Sequence, residues 1–88
     1  MDRPKITGKE LDNAIRDMQM ELYKRIEEKG DRAFSSTLEL RGSIDEEVTE
    51  LFEALHLKDH DSIVHELKDV LVSCIYGLAC VQSGKLEF

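Results

Sequence analysis

The sequence predicts an all-α fold, with three main helices per chain dimerising into a helical bundle. Three observations lead there. Turn punctuation is sparse, with one proline (Pro4) in 88 residues, whereas a β-sandwich or barrel needs a turn signal every 8–12 residues or so. Apolar residues recur at three- and four-residue spacing in three separate stretches, the mark of amphipathic helices. The last stretch is apolar on two sides, and a helix of that kind must be surrounded. Two other helices cannot do that, so a second copy is expected to cover the remaining face. Residues 1–88 make one domain, with residues 1–6 as a loose, flexible arm and residues 82–88 as a polar tail. A chain this short buries only about 60–65% of the surface that its unfolded form exposes, so its own core is marginal, and the expected assembly is a homodimer or higher homo-oligomer.

Thr7 and Glu10 form a capping-box pair at the head of the first helix, each side chain bonding the other's backbone N–H. Leu11, Ile15, Met18, Leu22 and Ile26 then give one stripe, ending at Gly30, an expected left-handed cap. This helix spans about 8–29. Ser36 and Glu39 repeat the box for the second helix, whose stripe is Leu40, Ile44, Val48, Leu51 and Leu55, to about Leu57. Gly42 costs up to ~1 kcal/mol against alanine inside a helix. The stripe stays in phase across it, so the helix is expected to be continuous, with Gly42 allowing close contact. After a polar turn at Lys58 to Asp61, with Asp61 or Ser62 as cap, the third helix runs from about Ile63 to Val81 or beyond. Its main stripe is Ile63, Leu67, Val70, Leu71, Cys74 and Leu78, with Val72, Tyr76 and Ala79 on the other side.

The chain is 41% hydrophobic and 35% charged, with a net charge of −7. Residues 43–69 hold nine acids and two bases, the whole imbalance. A chain without a basic stripe is not expected to bind nucleic acid. No run reaches the 18 or so apolar residues of a membrane span, and no basic-then-apolar leader is apparent. Two cysteines cannot build a disulfide scaffold. The default expectation is a reducing cytoplasm and no membrane partner.

The acids form a pattern. Glu46, Glu47 and Glu50 fall on the second helix, and Glu66 and Asp69 on the third. Glu47/Glu50 and Glu66/Asp69 are each three apart, which places the members of a pair on one face, roughly 5–6 Å between Cβ atoms. The short turn makes the two helices antiparallel neighbours. Counting outward from its middle sets Glu50 level with Asp69. Carboxylates gathered this way raise one another's pKa and cost stability. A hard divalent cation removes that cost. Mg²⁺ takes one or two protein carboxylates, keeps waters and accepts phosphate oxygens. The plain alternative is a solvated acidic face.

Glu46-Glu47-x-x-Glu50, fifteen residues, then Glu66-x-x-Asp69 resembles the signature of the MazG-like nucleoside triphosphate pyrophosphohydrolases, of the all-α NTP pyrophosphatase superfamily. The resemblance covers about residues 36–81. It implies that Glu47, Glu50, Glu66 and Asp69 bind Mg²⁺, with Mn²⁺ a possible substitute. It implies a role for Glu46 as auxiliary ligand, outer-sphere group or the base for the attacking water, and names Glu46 and Glu47 as the catalytic pair. The reaction would cleave an NTP or dNTP to monophosphate and pyrophosphate, as nucleotide-pool house-cleaning. Many relatives complete the nucleotide pocket with a fourth helix, and here only a tail follows Val81. Either a dimer supplies that wall or activity is reduced or absent. The alternative is a non-catalytic helical dimer that binds a nucleotide or a protein partner.

For the substrate, Lys29, Arg32, Phe34 and Lys68 are candidates, with Arg25 and Arg41 further options for phosphate. Lys29 also suits capping of helix carbonyls, and Phe34 suits plugging the core. Ser73, Gly77, Cys80 and Gly84 continue the line of Glu66, either for close helix packing or to leave room for a base or sugar. Other patterns fall short. His65-Glu66-x-x-Asp69 has an aspartate where a zinc-protease helix has its second histidine. His60-Asp61 lacks the further residues of an HD phosphohydrolase. An EF-hand from Asp59 would have Val64 in place of its glycine and Val70 in place of its last acid. Cys74 and Cys80, about 9 Å apart along one helix, read as small core residues beyond disulfide reach.

Overall fold

A computed structural model describes residues 2–88, and Met1, in the predicted arm, lies outside the described residues. The described residues contain three helices, α1 (Gly8–Lys29), α2 (Thr37–Leu57) and α3 (His60–Gln82), and one isolated parallel bridge. They fall into two compact units, one up to Gly30 and one from Asp31 to Phe88.

The first unit is α1 and its lead-in. Thr7 caps it as predicted. Its hydroxyl accepts the Glu10 N–H at 3.1 Å, and the Glu10 carboxylate accepts the Thr7 N–H at 2.9 Å. The Thr7 N–H and the Thr7 hydroxyl, both donating to the Glu10 carboxylate, hold that carboxyl below its usual range. Gly30 ends the helix at φ 96° and ψ 177°, with its N–H on the Ile26 carbonyl at 2.8 Å. It is therefore not the expected left-handed helical cap. It occupies an extended region at positive φ that is essentially open to glycine alone.

In the second unit α2 is continuous through Gly42, as its unbroken stripe predicts. A side chain at Gly42 would meet open space, so the close contact expected there does not occur. Ser36 caps α2 through the Glu39 N–H, but the Glu39 carboxylate turns to the N–H and hydroxyl of Ser35. Lys58 closes α2 in the left-handed conformation. The third helix starts three residues earlier than predicted. Asp59, not Asp61 or Ser62, is its cap, because the Asp59 carboxylate takes both the N–H and the hydroxyl of Ser62.

The two-residue turn sets α2 and α3 side by side. Ser43 and Ser73 share a hydrogen bond at 3.1 Å. The Leu40 methyls fill the space beside Gly77, where a Cβ would lie 2.6 Å from Leu40 Cδ1. That register, followed one turn toward the connection, brings Glu47 opposite Asp69, and the next turn brings Glu50 opposite Glu66. The sequence count, which sets Glu50 level with Asp69, is off by about a turn because the connection is shorter than predicted.

The faces of α3 are also reversed. Its buried residues are Asp69, Ser73, Gly77 and Cys80. Of the stripe expected to form the core, Leu67, Leu71, Cys74 and Leu78 are exposed, Leu78 at 55%. The physical reason is distance of approach. Small side chains let the backbone of α3 come close to α2, and large ones are turned away. Cys80 is a buried free thiol, while Cys74 is exposed, contrary to the reading of both as core.

The tail is also not merely polar. Lys85 N–H bonds the Cys80 carbonyl at 3.0 Å, and Gly84 takes φ 69°. That turn sends Leu86 into a buried position, and the Glu87 carbonyl accepts the Thr37 N–H at 2.9 Å. The segment thus ties the end of α3 to the start of α2. Ahead of α2, the Tyr76 hydroxyl donates to the Arg32 carbonyl, and Phe34 packs edge-on to Tyr76 with ring centres 5.6 Å apart. Among the described residues no helix is long and apolar enough to cross a membrane.

Candidate metal centre

Four carboxylates meet on the contact between α2 and α3. Glu47, Glu50, Glu66 and Asp69 each offer an oxygen, and these four atoms lie within 4.8 Å of one another. Glu47 shares the side of α2 that carries Leu40, Ser43 and Ala54, since each is separated from the next by whole turns or nearly so. Asp69 heads the buried line of α3 and is 8% exposed. Glu47 and Glu66 are half-buried beside it. They continue the same contact that Ser43–Ser73 and Leu40–Gly77 make further along.

The electrostatics follow from that placement. Shielding from water pushes the Glu47 carboxyl above its usual range, and repulsion from Asp69, Glu50, Glu66 and Glu46 adds to it. Glu66 is pushed up for the same reasons, first by shielding and then by Asp69 and Glu50, with His65 partly offsetting. Oε2 of Glu47 and Oε2 of Glu66 are shut off from solvent and have no hydrogen-bond partner. A buried oxygen left unpaired costs about 1–3 kcal/mol. Two of them within one acidic cluster are what a bound cation would satisfy, and an all-oxygen donor set suits a hard ion such as Mg²⁺.

Glu46 is exposed beside the cluster, close enough to contribute to the repulsion at Glu47. Lys68 is half-buried, next to Asp69 in sequence. Arg32 is in the loop before α2, where its carbonyl holds Tyr76. Phe34 is engaged by the Tyr76 ring. Lys29 is exposed in the last turn of α1, and Arg25 in the same helix pairs with Glu21 at 3.1 Å. Arg41 pairs with Asp45 one turn on, at 3.6 Å. Room for a base beside Gly77 does not exist, because Leu40 fills it. The Ser73–Gly77 line is helix packing within one chain.

His65 also lies against the cluster. His65 Nε2 lies 3.4 Å from Asp69 Oδ2, and His65, Glu66 and Asp69 form a second set of donor atoms within 4.8 Å. The i, i+4 spacing of His65 and Asp69 was the available signal. Comparison with known proteins finds no matching family model, no matching curated protein and no matching solved structure.

Proposed function

We propose that this chain is a Mg²⁺-dependent nucleotide pyrophosphohydrolase, MazG-like in architecture, that cleaves an NTP or dNTP to the monophosphate and pyrophosphate. The observation that carries the reading is the pair of solvent-shielded, unpartnered oxygens on Glu47 and Glu66 within a four-carboxylate cluster. Glu47, Glu50, Glu66 and Asp69 would hold the ion. When bound, Mg²⁺ supplies positive charge to the phosphoryl oxygens and acidity to water. Glu46, exposed beside the cluster, would take the proton from the attacking water. Lys68 and Arg32 are the nominated partners of the phosphates, with Lys29 a third, and Phe34 the nominated partner of the base. Cytoplasmic house-cleaning of the nucleotide pool is the setting that fits.

The same proposal includes a homodimer. Val64, Leu67, Leu71, Ile75, Leu78 and Val81 all lie exposed along one side of α3, and a contiguous apolar face of this kind marks an interaction surface. A second copy of that face would bury it and add a wall to the nucleotide pocket.

The test is release of pyrophosphate from the common NTPs and dNTPs with Mg²⁺ or Mn²⁺. Glu50→Ala and Asp69→Ala should each lower the rate by about 10²-fold or more. A folded protein that releases none from any nucleotide, yet is stabilised by one, would shift the assignment to a non-catalytic nucleotide-binding dimer.

A further inference from the structure

We propose that residues 83–88 form a strap that lifts off α2 and α3 as a unit, and that its closure controls access to the open end of the helix pair, where the thiol of Cys80 is buried.

The register of α2 on α3 calls for such a cover. Ser43 meets Ser73, and Leu40 meets Gly77. One turn further along, Cys80 is level with Ser36 and Thr37, where α2 begins. The body of α2 therefore does not reach over Cys80, yet Cys80 is only 5% exposed. The strap crosses this gap. Its Ser83 hydroxyl and Lys85 N–H both donate to the Cys80 carbonyl, at 3.2 and 3.0 Å, and its Glu87 carbonyl accepts the Thr37 N–H at 2.9 Å. That N–H lies in the first turn of α2, where a donor has no acceptor within its own helix. The strap thus bridges the two positions that the register sets level.

Its fastening is light. Lys85, Glu87 and Phe88 are exposed, and beyond Gly84 the strap is held by one buried side chain, Leu86, and by the backbone bonds to Cys80 and Thr37. Segments with few buried contacts and exposed backbone bonds open without unfolding the rest. The loop before α2 keeps a separate hold on α3, through the Tyr76 hydroxyl on the Arg32 carbonyl and the Phe34 ring on the Tyr76 ring, so it stays in place when the strap lifts. Gly84 is the hinge. It takes φ 69°, and a Cβ there would meet open space. A β-branched residue at this position opposes closure through the backbone alone.

Thiol labelling tests the strap in the full chain carrying Cys74→Ser, where Cys80 is the one remaining thiol. The probe is an aromatic disulfide, bis(nitrobenzoate) disulfide. The Cys80 thiolate attacks its S–S bond, a mixed disulfide forms, and the other half leaves as a coloured thiolate. Cys80 should label more slowly than in the urea-unfolded chain. Its rate should rise less than about twofold per molar urea before the unfolding transition, against roughly fivefold for opening of the whole fold. Leu86→Ala and Gly84→Val should each speed labelling by about tenfold, with helical circular dichroism unchanged. Cys80 labelling as fast in the folded chain as in the unfolded one, or with the urea dependence of global unfolding, would overturn the strap. So would a rate that ignores both substitutions.

Discussion

The two sides of α3 are built by opposite rules. The side against α2 is small and charged, with Asp69, Ser73, Gly77 and Cys80 buried. The other side carries Val64, Leu67, Leu71, Ile75, Leu78 and Val81, all exposed. An ordinary surface helix does the reverse. Each side is unfinished in its own way. The inner one crowds carboxylates together and shields oxygens of Glu47 and Glu66 from water without a hydrogen-bond partner, a cost that a partner ion or a proton would relieve. The outer one leaves a hydrophobic stripe wet. Tight α2–α3 contact and an exposed apolar stripe thus come from one helix, with the small side chains serving the first and the large ones forming the second.

The sharpest way to break this picture is to charge the outer side. The double substitution Leu71→Asp and Leu78→Asp should weaken self-association by at least ~10²-fold, read as a shift in mass by light scattering. It should leave the α2–α3 contact, and hence helical content, largely intact. If the native chain is already monomeric at micromolar concentration, the outer stripe has no second copy to bury it.

The inner side is tested by size. Gly77→Leu drives a side chain into Leu40, where even a Cβ would lie at 2.6 Å. Overpacking of this kind costs about 1–3 kcal/mol. Gly42→Ala, in the same unit but facing open space, should instead stabilise the chain by up to ~1 kcal/mol. Chemical denaturation of the two variants gives the comparison directly. Equal effects would mean that the α2–α3 approach is not set at Gly77.

Local chemistry explains why much of this was legible in the sequence. The stripes of α1 and α2 and the Thr7 box place those helices to the residue, because caps and periodicity are short-range signals. The co-location of Glu47, Glu50, Glu66 and Asp69 also follows from periodicity and a short turn. What stayed hidden depends on competition between equivalent residue types or on partners distant in sequence. Asp59 outcompeted Asp61 and Ser62 as cap by bonding Ser62 twice, and each looks equally good as a residue type. Periodicity shows that α3 has an apolar side and cannot show what covers it, so its faces were assigned the wrong way round. Leu86 is a single apolar residue in a polar segment, and Phe34–Tyr76 spans the whole of α2. Neither leaves a pattern.

The smallest expected effect has the most informative sign. Glu47 sits in the α2–α3 contact with its carboxyl pushed up by shielding and by Asp69. A pKa raised in the folded state means that folding favours the protonated form. The associated stability is fully present below the ordinary carboxylate pKa and is lost as pH rises through the folded value. At neutral pH, without added divalent ions, Glu47→Gln should therefore raise stability, by a few tenths to about 1 kcal/mol given partial solvent screening. The native chain should gain stability as pH falls from 7 toward 5, and the variant should gain less. Added Mg²⁺ should reverse the ranking, because the native carboxylate is then paired and the amide is a poorer ligand. Thermal unfolding of both proteins, with and without the ion, reads all of this. A Glu47→Gln chain that is less stable than the native one even in the absence of divalent ions would mean that the inner side of α3 tolerates its charges without a cation.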